Sequence, residues 1–450
     1  MSFIRILFFF FMGVLSAQNG FQLENGKKST IHFQLINNLI FIPININGVD
    51  LTFLLDSGVH QTLLFSLTDE KIDFKQAEKM NFTGLGEDYE IEGFKSINNR
   101  IKIGDDFLDN QHTIYILSNG NIDLSKHVGI PVNGIIGYNF FKNHPVEIDF
   151  LSKKITVYNN SEQIERKIKR FSAFDISIEL NKPYLYADVE LNQKLYFAKF
   201  LIDLGNSDGL WLFPNLADGY LENHPHISDY LGSGFNGDIH GNRMRIDAFY
   251  IGDYTLEKPL VAAPTNESIR HLTIVKDREG SIGNEIMRRF RMIIDYGKNK
   301  IYFRKNRHYK DPFLFNKSGL TIQQDGTRYE PSYVQVETAL KSSGGFGLEN
   351  PLSPTAQTTT KLQYKFVLTP VFSVLDCRKN SPCDEAGIKK GDKILSVKNT
   401  EAGKLTLQRI GDILREGKEG KVIKFQLQRG DSIYTTHITL TDPIPFELRK

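Results

Sequence analysis

Apolar positions along the chain fall into short alternating runs far more often than into helical stripes. Ile40 to Ile46 alternates around Asn45 and runs into Asn47-Gly48, a hairpin turn signal, after which Leu51 to Leu55 resumes as an apolar run. Arg100 to Ile103, Thr113 to Leu117 and Lys154 to Val157 predict further strands bounded by Gly, Asn and Asp. Tyr184 to Leu191 alternates, Leu195 to Ile202 answers it, and Met292 to Ile294 with Lys300 to Phe303 close the set. Helical spacing is confined to a turn or two at Tyr138 to Asn143 and at Asn284 to Phe290, and to Leu405 to Arg415. Polar Ser161 to Arg170 reads as a connection. Beyond Phe303 the pattern changes: Gly344 to Thr360 reads as a loop or linker, Phe366 to Leu375 as a strand, Ser381-Pro382 as a turn, and Val422 to Leu427 and Ile433 to Leu440 as strands.

The first two thirds of the chain repeat. Leu54-Leu55-Asp56-Ser57-Gly58 returns as Leu201-Ile202-Asp203-Leu204-Gly205, 147 positions later. Gly84-Leu85-Gly86 returns as Gly232-Ser233-Gly234 and Ile103-Gly104-Asp105 as Ile251-Gly252-Asp253, both at 148. Ile136-Gly137 returns as Ile282-Gly283 and Ile148-Asp149 as Ile294-Asp295, both at 146. Near-constant offsets over separate signatures imply two duplicated β domains followed by a different third one.

The length of 450 residues agrees with about three domains. Phe 33 and Tyr 18 against one Trp lean towards β structure. Lys+Arg 55 against Asp+Glu 53 leaves +2, which argues against a nucleic-acid partner. Two cysteines cannot build a disulfide framework or a four-ligand zinc site. Cys377 and Cys383 have a spacing that permits a disulfide without requiring one. At the N-terminus Arg5 precedes an apolar run, Ile6 to Leu15, then Ser16-Ala17, which predicts a cleaved signal peptide over 1–17 and a secreted or periplasmic protein. No integral membrane segment is expected after cleavage.

An Asp at the end of the apolar strand Phe53-Leu54-Leu55 is costly to bury unpaired. Two-fold packing of duplicated lobes would bring Asp56 and Asp203 face to face. Two such carboxyls share a proton. One then acts as base on a water while its protonated partner polarises a carbonyl. Other candidates are weaker: His60 reads as a packing or surface residue, the glycines of 232–241 lack the helix a phosphate loop needs, and Arg288-Arg289-Phe290-Arg291 reads as a solvated helix face.

These residues resemble the retropepsin and pepsin-type aspartic proteases. Asp56-Ser57-Gly58 fits their Asp-Thr/Ser-Gly signature, and Asp203 to Pro214, through Leu210-Trp211, looks like the longer pepsin-type form. Ile136-Gly137 and Ile282-Gly283 resemble the element that threads under each active-site loop, and Gly84, Gly86, Gly232 and Gly234 sit where the family places flaps. Family members carry a hydroxyl after each catalytic Asp; here Ser57 supplies one and Leu204 does not, so half of the brace between the loops is missing unless Asn206 or Ser207 replaces it. Ser381 to Ile394 resembles the signature of bacterial PDZ domains. The PDZ carboxylate loop falls at Ser318-Gly319-Leu320-Thr321-Ile322 or at Gly345-Phe346-Gly347-Leu348, the first favoured because a strand-like run follows it.

The expectation is a mainly β chain: two acid-protease β-barrel lobes at 28–160 and 171–306 in a pepsin-like bilobal arrangement, then a PDZ domain at 315–443 with an inserted loop at about 324–362. The whole resembles the bacterial secreted aspartyl proteases. That resemblance implies an endopeptidase with Asp56 and Asp203 catalytic and with Ser57, Gly58, Gly205, Ile136, Gly137, Ile282 and Gly283 supporting the loops. Gly319, Leu320, Thr321 and Ile322 would bind peptide. It implies no cofactor and no metal, and a peptide or protein substrate beside a C-terminal peptide ligand. The alternative is a degenerate homologue that binds peptides without cutting.

Overall fold

A computed structural model describes residues 20–24, 26–66, 71–82, 91–117, 124–234, 237–270, 274–339 and 358–444. The fold is mainly β, in sheets of nine, fifteen and six strands. Among the described residues no helix is long and apolar enough to cross a membrane. The signal-peptide reading falls on residues 1–17, outside the described residues.

The nine-stranded sheet belongs to the first copy. Its centre is the hairpin of Leu39–Ile46 and Val49–Leu55, turned by Asn47 (φ 50°) and Gly48 (φ 99°), the left-handed conformations that Asn-Gly supplies. The second copy repeats it with Lys182–Leu191 and Lys194–Ile202 around Asn192-Gln193. Alternation drives both hairpins, since the inward residues Ile40, Ile42, Ile44, Val189, Phe200 and Ile202 lie in one continuous core.

The two copies are not separate barrels. Lys28–His32, Val146–Asp149 and Lys154–Tyr158 of the first copy lie in the fifteen-stranded sheet of the second. Val146 pairs with Ile294 and Ile148 with Met292, antiparallel, so the closing strands of each copy form one sheet beneath both. Repeats in sequence could not reveal this. Edge pairing depends on which strand a free edge meets, and both copies offer the same edge. The connection Ser161 to Arg170 contains a short 3₁₀ turn, Ser161–Ile164, and one helical turn, Glu165–Ile168.

The six-stranded sheet forms the third unit around its own core, with Phe372, Ile410, Leu414, Ile423, Phe425 and Ile438 buried. The helix Leu407–Glu416 starts at Thr406, whose Oγ accepts the Arg409 amide (3.2 Å). The expected inserted loop is instead a ribbon: Leu320–Ala339 pairs antiparallel with Thr358–Cys377 out to Ala339↔Thr358. Residues 340–357, including the competing Gly345 to Leu348 segment, lie outside the described residues. Leu362, Tyr364, Phe366 and Leu368 alternate as a strand does, so the strand expected from Phe366 begins earlier in this ribbon.

The third unit is fastened to the lobes. Buried Arg245 donates to the carbonyls of Phe313 (2.9 Å) and Ile444 (2.7 Å). The Asn37 amide donates to Gln408 Oε1 (2.5 Å). Arg289 corrects the solvated-face reading of the 288–291 cluster. It is fully buried, stacks on Phe313 at 3.7 Å, and donates to Glu285 and to the carbonyl of Asp311, while Arg291 pairs with Glu147. The segment from His308 to Phe313 folds back over it, which a local helix pattern does not foretell.

Candidate active site

Each Asp-x-Gly turn follows a buried strand and is held from below. The Asp56 amide donates to the Ile136 carbonyl (2.9 Å) and the Asp203 amide to that of Ile282 (3.0 Å). Gly134–Ile136 runs parallel to Phe53–Leu55 and antiparallel to Leu63 and Leu64. Gly280, Ser281 and Ile282 repeat this between Phe200–Ile202 and Leu210–Leu212. The glycines that follow are demanded by close approach: a Cβ on Gly137 would drive into the Val59 carbonyl, and one on Gly283 into that of Asp208.

The turns meet at their carboxyls. Gly58 donates its amide to Asp56 Oδ1 (2.7 Å) and Gly205 donates to Asp203 Oδ1 (3.1 Å). A Cβ on Gly58 would stand 3.1 Å from Asp203 Oδ1, and one on Gly205 would overlap the Asp56 carboxyl, so each glycine leaves room for the opposite acid. The two carboxyls therefore face each other across these glycines and act directly on one another. Burial raises the pKa of both. For Asp56 the Asp203 charge adds to this, and the Gly58 amide and Lys182 oppose it. For Asp203 the opposing charges are Arg278 and Lys182. Such a pair retains one proton at a pH where separate carboxyls are ionised, and so holds an acid and a base side by side.

The brace between the turns is asymmetric. Buried Ser57 donates its hydroxyl to the Ile202 carbonyl (2.6 Å) and accepts the Leu204 amide (3.1 Å). Leu204 is fully buried in the shared core, and its carbonyl accepts from Asn284 Nδ2 (2.7 Å). Neither candidate substitute braces the turns: Asn206 Oδ1 accepts Asp208 N within its own turn (2.9 Å), and the Ser207 hydroxyl makes no hydrogen bond among the described residues. Asn284 was legible only as the residue after Ile282-Gly283, where the first copy has Tyr138.

Gly232 and Gly234 lie in His226–Gly234, which pairs with Gly237–Arg245 as a hairpin; Gly232 has φ 142° at a register shift. Gly84 and Gly86 lie outside the described residues, between the paired ends Phe82 and Ile91. Arg243 ties the second hairpin to the second turn, donating to Asp208 Oδ1 (2.7 Å) and Asp229 Oδ2 (2.9 Å), while Trp211 Nε1 donates to Asp208 Oδ2 (2.9 Å). His60 is exposed, its ring edge-on to Tyr138 at 5.9 Å.

In the third unit Gly319 (φ 73°) turns the chain into Leu320, buried, and Thr321 and Ile322 continue the strand. The Gly319 carbonyl accepts the Arg378 amide (2.9 Å) and the Ser318 carbonyl accepts that of Cys383 (2.9 Å). Cys377 and Cys383 form a disulfide, which places a covalent clasp directly behind this turn.

Family comparison assigns both units. An aspartyl protease model matches residues 42–140 and a PDZ domain model matches 356–440. The chain carries an aspartyl protease domain and a C-terminal PDZ domain. A curated relative, the retrovirus-related Pol polyprotein from transposon 412 of Drosophila melanogaster, is 29% identical over 126 residues. That match spans 28% of this chain and 9% of the polyprotein. Among solved structures, soybean basic 7S globulin aligns at a TM-score of 0.42 and 8% identity, covering 65% of this chain and 98% of that one.

Proposed function

We propose that the chain is an aspartic endopeptidase in which Asp56 and Asp203 activate a water between them and the PDZ domain recruits peptide or protein C-termini. One observation carries the reading: two carboxyls from duplicated turns, Asp56 buried and Asp203 half-buried, each held by the glycine amide two residues on, face each other with each set against the glycine of the opposite turn. The ionised member takes a proton from water as it attacks the peptide carbonyl, and the protonated member donates to the carbonyl oxygen. Leu204 favours the alternative of a chain that captures peptides without cutting. Against that alternative, the Ser57 hydroxyl and Asn284 hold the Leu204 backbone from both sides. A disulfide fits residence in an oxidising compartment, in keeping with a secreted or periplasmic protein.

Cleavage of a denatured protein mixture by the full chain tests the reading. Asp56→Asn and Asp203→Asn should each abolish cleavage, and the double variant should lose no more, because the pair acts as a unit. Substantial cleavage by Asp203→Asn overturns it.

A further inference from the structure

The duplicated hairpins place different chemistry beside the two acids. In the first copy Phe41 pairs with Leu54, so continuing the antiparallel register sets Leu39 opposite Asp56. In the second, Tyr184 pairs with Leu201, which sets Lys182 opposite Asp203. Leu39 is half-buried against the cluster of Phe41, Leu54 and Ile135. Its counterpart is a partly buried ammonium.

The Lys182 ammonium has no ion-pair or hydrogen-bond partner among the described residues. The nearby Glu179 is engaged by Lys199 (2.9 Å) and by the Ser177 hydroxyl (2.6 Å). Behind Lys182 stands Arg278, buried, stacked on Phe213 at 5.0 Å and donating to the Gly280 carbonyl (3.1 Å) and Ser281 Oγ (2.8 Å). No carboxylate lies within ion-pair distance of Arg278 among the described residues. The charges acting on Lys182 are those of Arg278, Asp56 and Asp203, and Lys182 in turn acts on His60 across the cleft. Two aspartates sharing one proton carry about one negative charge against two cations. Among the described residues the cleft floor beside Asp203 therefore holds more positive than negative charge, and the matching place beside Asp56 holds apolar Leu39.

We propose that Lys182, with Arg278 behind it, selects substrates carrying an acidic side chain next to the scissile bond on the Asp203 side of the cleft. This rests on the peptidase reading and deepens it. A substrate carboxylate would give Lys182 the partner that the fold withholds, and a substrate lysine would meet two like charges in a partly desolvated site.

The test uses the full chain and quenched-fluorescence peptides that differ only in having Glu, Gln or Lys beside the scissile bond, on either side. With the wild-type chain, kcat/KM for Glu should exceed that for Gln by about tenfold on one side only. Lys182→Met should bring the Glu/Gln ratio to about one, Lys182→Arg should keep it, and Lys182→Glu should favour the Lys peptide over the Glu peptide. Ratios within each variant cancel any general loss of activity. A wild-type ratio below about twofold, or one unchanged in Lys182→Met, overturns the inference. If the wild-type chain cuts no peptide, it is the peptidase reading that fails. Anisotropy of the same labelled peptides then decides the charge preference: tighter binding of the Glu peptide, lost in Lys182→Met, supports it, and equal affinities overturn it.

Discussion

Replacing Ser57 by Ala isolates the brace, because one hydroxyl makes both of its bonds. The substitution removes the donor to the Ile202 carbonyl (2.6 Å) and the acceptor of the Leu204 amide (3.1 Å). Both backbone groups sit in the fully buried centre of the lobe pair, where water cannot replace the lost oxygen. A buried group left unpaired costs about 1–3 kcal/mol, so two cost about 2–4 kcal/mol after partial relaxation. Leu204 cannot compensate, since its side chain has no polar atom. Trp211 is the only tryptophan, and it hydrogen-bonds Asp208 beside the second turn, so its emission reports this lobe without signal from the PDZ domain. With a urea m-value of about 3 kcal/mol/M, the Trp211 midpoint should fall by about 1 M. Ser57→Thr, which keeps the hydroxyl, should move it by less than half as much. A shift below about 0.3 M for Ser57→Ala would refute the claim that one serine carries the brace.

Leu204→Thr exchanges a fully buried apolar side chain for a smaller one with a hydroxyl, and should lower the same midpoint by about 1–3 kcal/mol instead of repairing the brace. Asp56→Asn should raise stability at neutral pH. Burial raises the folded-state pKa, so the acid's favourable contribution is present below the unfolded pKa and is lost as pH rises through the folded one. The gain over wild type in thermal unfolding should therefore vanish near pH 3 and grow towards pH 8. Reducing the Cys377–Cys383 disulfide, which closes a short loop, should cost the PDZ domain about 2 kcal/mol and weaken calorimetric binding of a C-terminal peptide, because Gly319 and Ser318 hydrogen-bond to the clasped segment.

Local pattern revealed what local physics fixes. Asn47-Gly48 marked its hairpin, the two Asp-x-Gly turns marked their meeting point, and Gly137 and Gly283 marked the threaded strands, since each depends on a few adjacent residues. The helix Pro214–Leu221 escaped because Pro214 also reads as a strand stop. Lys182 was invisible: its meaning comes from standing opposite Asp203, a relation visible only once Tyr184 is known to pair with Leu201. Arg289 likewise read as part of a solvated face, because the segment 308–313 that closes over it is distant in pattern, and Arg243 carried no signal at all. Asn284 differs, since its position after a recognised motif was available and only its role was not.

The sheet shared by the two lobes also sets an order of events during synthesis. Val146–Asp149 can pair with Lys154–Tyr158 as soon as both leave the ribosome, but its other edge waits for Phe290–Asp295. At roughly 5–20 residues per second the wait is about 7–30 s. Through that interval the first lobe presents an open strand edge whose residues, Val146, Glu147 and Ile148, end fully buried. The same strand in a second nascent chain offers an identical edge, so crowded polysomes favour exchange between neighbours. Glu147, a carboxylate in the middle of that edge, is a gatekeeper against wrong pairing; Lys167 pairs with it first, and Arg291 on the correct strand completes its neutralisation.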